Sequence, residues 1–300
     1  VDRAKWLEER RKSIGGSDAA AIIGLNPYVT PYMVWADKTG RLPEREDNEA
    51  MRQGRDLEDY VASRWMEKTG KKCRRRAKML YNSAYSFAHA NIDRWVTGEN
   101  AGLECKTTSV MNLKKFKNGE YPESYYAQCV HYMAVTGADR WYLGVLVLNQ
   151  GFYEFVIERD QAEIDALMSA EGEFWVYVEN DTPPPIDGLK PTTDTLNTIY
   201  ANGGGDAVEL FGRESMARTY LDISEQIKTL RREQAKIAQT LKADLQNAET
   251  GICGAYTVQW KKSVRASVSK KLLRKRYPKI NLNKIMKATT CRRFSIKEDV

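Results

Sequence analysis

Histidine and cysteine are scarce in this chain. His89 and His131 are the only histidines among 300 residues, and no triad spacing surrounds either. Both are expected to be packed or partly exposed residues, not catalytic bases. The five cysteines, Cys73, Cys105, Cys129, Cys253 and Cys291, are odd in number and scattered, without a C-x-x-C pair. That pattern argues against a zinc ribbon, an iron–sulfur cluster or a disulfide framework, and the thiols read as small buried hydrophobes. No apolar run approaches a membrane span and no signal peptide opens the sequence, so a cytoplasmic protein without a membrane partner is expected.

What is present describes a globular protein. Hydrophobic residues make up 42% and charged residues 29%, and the length suffices for one large or two modest cores. A net charge of +7 and a pI near 9.0 favour a polyanionic partner, nucleic acid first. Positive charge gathers at residues 71–76 (K-K-C-R-R-R), at residues 114–117, and among Lys261, Lys262, Arg265, Lys270, Lys271, Arg274, Lys275, Arg276, Arg292 and Arg293. Each run fits a solvated face, and each also fits a track for a phosphate backbone.

Periodicity orders the chain. A charged helix over 2–12 leads through Gly15-Gly16 to a second helix capped by Ser17 or Asp18. Such a helix start suits a phosphate, with Arg10 or Arg11 as counter-charge, although an ordinary capped helix has the same letters. A short helix spans 31–39. Residues 47–69 form the clearest amphipathic helix, with Leu57, Val61 and Trp65 on one face and Gly70 as its stop. Glu58 falls close to that face, where a carboxylate needs a partner or a metal, or else reaches water at the stripe's edge. Residues 79–96 read as strand, turn, strand. A helix over 122–136 stacks Gln128 and Tyr132, four apart, with Tyr125 beside them. A hairpin (141–148 and 152–157) and a helix (160–179) end the unit at three prolines. Residues 186–205 read as a loose linker. A long helix over 206–249 repeats Met216, Tyr220, Ile223, Ile227, Leu230, Gln234, Ile237 and Leu241 at heptad spacing. A strand at 255–264, a basic helix at 270–277 and a strand near 292–297 close the chain.

The stretch from His89 to Thr108 is where chemistry concentrates. If residues 103–107 form a strand, Glu104 and Lys106 share one face, while Leu103, Cys105 and Thr107 point into a core. Asp93, near the end of the preceding strand, reaches the same spot. Two carboxylates converging with a lysine are what metal-assisted phosphodiester hydrolysis needs. A surface hairpin with an ordinary Glu/Lys pair would have the same letters.

The ordered set is more specific than any member. R-R-K-S-I-G-G-S-D at 10–18, Glu58, Ile92-Asp93 with Glu104-Cys105-Lys106, and Q-C-V-H-Y at 128–132 resemble the PD-(D/E)XK nuclease superfamily. Among its members they are most similar to the phage recombination exonucleases of the YqaJ and lambda exonuclease type, over about residues 3–180. The tail C-R-R-F-S-I-K is similar to the C-terminal extension of YqaJ-type members. The resemblance implies that Asp93, Glu104 and the Cys105 carbonyl hold catalytic metal ions, Mg²⁺ or Mn²⁺, with Glu58 contributing directly or through water. It gives Lys106 the attacking water, and places Gln128 and Tyr132 against metal, substrate or backbone. Arg10 and Ser17 match residues that hold a DNA 5′-phosphate, and Asn91 stands where that pocket has a serine. Ile92 replaces the superfamily's proline.

The fold implied is α/β, a restriction-endonuclease-like core with a mixed central sheet flanked by helices, plus a helical arm and a small α+β basic region. The divisions expected are a nuclease core (1–182), a linker (183–205), the arm (206–250) and the basic region (251–300). The implied activity is 5′ to 3′ digestion of linear double-stranded DNA to mononucleotides, leaving a 3′ single strand. The implied partners are DNA ends, a single-strand annealing protein and further copies in a ring-shaped trimer. A structure-specific or restriction-type endonuclease, and an inactive DNA-binding recombination scaffold, are the alternatives.

Overall fold

The computed structural model describes residues 8–44, 47–76, 78–205, 207–264, 267–277 and 294–296. Two compact units divide the chain between Tyr200 and Ala201.

In the first unit residues 8–11 are helical; the rest of the helix expected over 2–12 lies mostly outside the described residues. Strand β1 (Ile14–Gly15) leads directly into α1 (Gly16–Ile22), followed by α2 (Pro31–Lys38) and α3 (Glu49–Thr69). The start of α1 differs from expectation. Gly15 is the N-cap, and the Asp18 carboxylate reaches back to accept the Gly15 N–H at 3.0 Å. Asn48 caps α3 by accepting the Met51 N–H at 2.9 Å, and Gly70 ends it with φ of 71°.

Residues 73–96 make four short strands, where a single strand–turn–strand was expected within 79–96: β2 (Cys73–Arg75), β3 (Leu80–Tyr81), β4 (Ala88–Ala90) and β5 (Arg94–Val96). Then come β6 (Ala101–Thr108), α4 (Leu113–Lys117), α5 (Glu123–Thr136), β7 (Arg140–Val147), β8 (Gly151–Glu158) and α6 (Gln161–Glu179). The main sheet runs β2-β5-β6-β7-β8, with β6 and β7 parallel and the other pairs antiparallel. A parallel pair needs a crossover, and α5 supplies it. A smaller sheet runs β1-β4-β3, with β1 parallel to β4.

Helices cover both faces of the main sheet. Ala62 and Trp65 of α3 pack on Val96, Ala101, Leu103 and Tyr142. On the other face Trp141 joins Ala127, Val130 and Met133 of α5, together with Ile164 and Met168 of α6. Strand alternation explains this division: Tyr142 serves one core and Trp141 the other. Gly102 fits beneath Trp141, since a Cβ there would lie 2.2 Å from the indole.

The stretch expected as a linker folds as α7 (Lys190–Ile199), whose Thr192 is buried and bonds Thr30 at 2.8 Å. Leu196 and Ile199 pack beside it on the core of α1, α2 and α6, but the fully buried positions of the helix, Thr192 and Thr195, are polar, which left its signal weak.

The second unit holds α8 (Glu214–Leu245), the hairpin β9 (Thr250–Cys253) and β10 (Tyr256–Gln259), and α9 (Lys270–Arg276). Apart from half-exposed Met216 (61%), Ile227 (43%), Leu230 (62%) and their heptad neighbours, little of α8 is apolar. The strand expected near 292–297 lies largely outside the described residues, and 294–296 form no strand.

Candidate active site

The site forms where β5 and β6 pair beneath α5. Arg94 lies opposite Leu103, so Asp93, one residue earlier, comes level with Glu104. Its Oδ2 accepts the Cys105 N–H at 2.8 Å. Glu104 shares a face with Lys106, opposite the Leu103 core, yet it is only 3% exposed because α5 covers it. Gln128 descends from α5 and orders the cluster. Its amide N–H groups donate to Glu104 Oε1 and to the Tyr132 hydroxyl, each at 2.8 Å. Its oxygen accepts from Lys106 Nζ at 2.8 Å, and Lys106 also pairs with Glu104 Oε1 at 2.7 Å.

An ammonium has three protons to give. Two are committed here, and Nζ lies 5.1 Å from the Tyr125 ring centre. Burial disfavours the charged lysine, but Glu104 and Asp93 more than compensate and hold its pKa above the ordinary value. Lys106 is therefore a cation and a donor.

Glu58 is turned to a different partner. Arg94, whose side chain is 5% exposed, donates to Glu58, to Asp59 and to the Asp93 carbonyl. Arg75 approaches Glu58 from the edge strand at 3.6 Å. Among the described residues no three His, Cys, Asp or Glu side chains form a ready metal cluster. Two features nevertheless match a cation. Glu104 Oε2 is buried with no hydrogen-bond partner, a costly position for a carboxylate oxygen. Asp93 has its pKa raised well above the usual range, first by burial and then by the charges of Glu104 and Glu58. Crowded carboxylates of this kind suit a hard divalent ion, with oxygens of Asp93 and Glu104 available as donors.

The residues matched to an end-phosphate pocket lie along the adjoining small sheet. Gly15 pairs with His89 in the parallel β1–β4 bridge. Ser17 and Asn91, each two residues further on, therefore leave neighbouring strands in the same direction. Arg10 Nη2 donates to Ser17 Oγ at 2.9 Å, and Asn91 is half-buried just before Asp93. Gly16 lies against the ring of Tyr132, where a Cβ would come within 2.6 Å. The first turn of α1 thus touches the tyrosine that holds Gln128.

His89 and His131 are both buried, at 1% and 0% exposed, within a separate network. His131 Nε2 donates to the His89 carbonyl at 2.9 Å, and Nδ1 meets both Glu171 oxygens at 2.9 and 3.0 Å. Sequence reasoning missed Glu171, Arg94 and Lys38. Glu171 could have been found from its place on the apolar stripe of Ile164, Leu167, Met168 and Phe174.

A model of the YqaJ-like viral recombinase domain matches residues 5–139. The YqaJ protein of Bacillus subtilis (strain 168), described as uncharacterized, is 40% identical over 304 residues, covering 99% of this chain and 95% of that protein. LHK-Exo, an alkaline exonuclease from Laribacter hongkongensis, is similar in its dAMP complex with a TM-score of 0.52 and 20% identity, over 59% of this chain and 93% of that one. A phage-related exonuclease from Haemophilus somnus 129PT shows 13% identity and a TM-score of 0.44, over 56% of this chain and 96% of its own. LHK-Exo shares the mixed-sheet, restriction-endonuclease-like architecture described above. By the identity and coverage of the Bacillus relative, this chain belongs to the YqaJ-like family, whose domain is that of a viral recombinase.

Proposed function

We propose that this chain is a divalent-metal-dependent exonuclease that degrades linear double-stranded DNA 5′ to 3′ into mononucleotides, leaving a 3′ single strand for annealing. The observation that carries this reading is the unpartnered Glu104 oxygen beside Asp93, with Lys106 on the same face. Asp93, Glu104 and the Cys105 carbonyl would hold the ion, Mg²⁺ or Mn²⁺, with Glu58 near enough to add charge. When bound, such an ion neutralises the phosphate and acidifies the attacking water. Lys106 directs its remaining N–H to that water or to a phosphate oxygen. Gln128 positions both Lys106 and Glu104 and is itself fixed by Tyr132. Arg10, Ser17 and Asn91 would bind the terminal 5′-phosphate, and the shared β1–β4 register supports their alignment with Asp93.

The same reading includes a homo-oligomer around the duplex and a single-strand annealing partner, and the exposed apolar seam of α8 supports an assembly contact there. No helix among the described residues is long and apolar enough to cross a membrane.

Release of acid-soluble nucleotide from 5′-phosphorylated, 5′-hydroxyl and closed circular duplexes, with Mg²⁺ or with chelator, tests the activity. Fast, chelator-sensitive release from phosphorylated linear DNA is expected. Rapid cutting of circles would replace the reading with an endonuclease. DNA retention without release would replace it with a binding scaffold.

A further inference from the structure

Lys38 ends α2 three residues after Trp35, on a face shared with buried core, and its side chain is only 3% exposed. A buried ammonium is costly unless each proton finds an acceptor. Here each does: Asp18 Oδ2 at 2.7 Å, the Arg10 carbonyl at 2.8 Å and the Ser13 carbonyl at 2.9 Å. All three acceptors belong to the segment that carries Arg10 and Ser17. Asp18 also accepts the Gly15 N–H at 3.0 Å, and Arg10 donates to Ser17 Oγ at 2.9 Å. One cation thus joins both ends of this loop.

The charge itself needs explaining. Ile14, Ala21, Val34, Trp35 and Phe174 already supply an apolar core where α1, α2 and α6 meet. An apolar side chain at position 38, opposite a neutral one at 18, would pack there without desolvating an ion pair. Burial would raise the pKa of Asp18, but the Lys38 and Arg10 charges, with hydrogen bonds from Lys38 and the Gly15 N–H, bring it down to about 2. The aspartate next to Ser17 is therefore negative, and Lys38 offsets a charge that would repel a phosphate.

We propose that Lys38 is a positioning residue for DNA-end selection. By fixing the Arg10 and Ser13 backbone and the Asp18 carboxylate, it sets the Arg10 guanidinium and Ser17 hydroxyl at the spacing that grips a terminal phosphate. This inference rests on the end-phosphate assignment of Arg10 and Ser17 made under the proposed function.

Initial rates on 5′-phosphorylated and 5′-hydroxyl linear duplexes, taken as a ratio, test it for wild type, Arg10→Ala, Lys38→Met and Lys38→Met/Asp18→Asn. Thermal unfolding is followed in parallel. The ratio is expected to fall on the order of tenfold in Lys38→Met, equivalent to about 1.4 kcal/mol. The double variant relieves the stranded carboxylate and recovers thermal stability, yet its ratio stays low because neither carbonyl is held. An unchanged ratio in either folded variant overturns the role of Lys38, as does failure of both to fold, which would assign the residue to the fold alone. A wild-type ratio near one, unaltered in Arg10→Ala, would instead remove the end-phosphate assignment itself and this inference with it.

Discussion

At the residue scale, the site depends on how Glu104 and Lys106 share one amide. Gln128 spends both N–H groups and its oxygen on Glu104, Tyr132 and Lys106, so each partner is held at the distance the next requires. Lys106→Ala removes a cation and donor while leaving the carboxylates in place. Nucleotide release is expected to drop by about 10³-fold with duplex binding nearly intact; normal turnover would refute the role given to Lys106. Glu104→Gln removes the charge that Oε2 offers without a partner. Calorimetric titration with Mn²⁺ is expected to show heat for wild type and little for the variant, and equal heats would separate Glu104 from the metal. The period-two spacing of Glu104 and Lys106 and the four-residue spacing of Gln128 and Tyr132 were legible in the sequence, because both are set by local geometry. Arg94 was not, since its partner Glu58 lies thirty-six residues away and only the packing of α3 on the sheet brings them together.

At the element scale, buried polar contacts tie α5 to α6 through Glu171 and to β4 through the His89 carbonyl. His131 uses both ring nitrogens, Nε2 donating to the His89 carbonyl and Nδ1 meeting Glu171, so that a positive charge on the ring faces that side chain. Burial opposes that charge, and Glu171 more than offsets it, so the His131 pKa is raised from 6.5. His89 goes the other way: burial, then the charges of Lys38 and His131, lower its pKa to about 3. The consequences for stability have opposite signs. The His131 contribution is complete below 6.5 and is lost as pH rises through its raised value. The His89 contribution is complete above 6.5 and is lost as pH falls toward 3, and that of Asp18 is lost between 3.8 and 2. Urea midpoints are expected to fall on acidification through that window, and less steeply in His89→Gln; parallel slopes would contradict the assignment. His131→Gln strands Glu171 and is expected to cost about 3–5 kcal/mol, largely recovered in His131→Gln/Glu171→Gln. The elements themselves were legible where an apolar stripe marked them, as in α3 and α6, or where Pro122 and Gly137 bounded them, as in α5, which is buried on all sides from Ala127 to Val135. The helix α7 was not, because its fully buried residues, Thr192 and Thr195, are polar and threonine is a poor signal of a core.

At the scale of the whole molecule, positive charge lies in both units, and in the first unit part of it lies beside the site. The run K-K-C-R-R-R supplies β2, an edge strand hydrogen-bonded to β5, which begins one residue after Asp93. Arg74, Arg75 and Arg76 are all exposed, Arg75 approaches Glu58 at 3.6 Å, and Arg76 stacks over Trp95 with 5.5 Å to the ring centre. The sequence showed the charge but not this pairing, since nothing local distinguishes a basic edge strand from a basic loop. The basic residues of α9 belong to the other unit. If DNA passes along β2 to reach the carboxylates, Arg74 and Arg76 each neutralise a phosphate and release a counterion. Arg74→Ala/Arg76→Ala is then expected to weaken duplex binding equally for all sequences. It would reduce the slope of log affinity against log salt by about 0.9 for each phosphate left without its arginine. Anisotropy titrations with chelator present, from low to moderate salt, measure that slope without cleavage. A slope equal to wild type would show that the duplex does not follow the β2 edge, and the same substitutions at Lys271 and Arg274 would then show whether α9 takes the backbone instead.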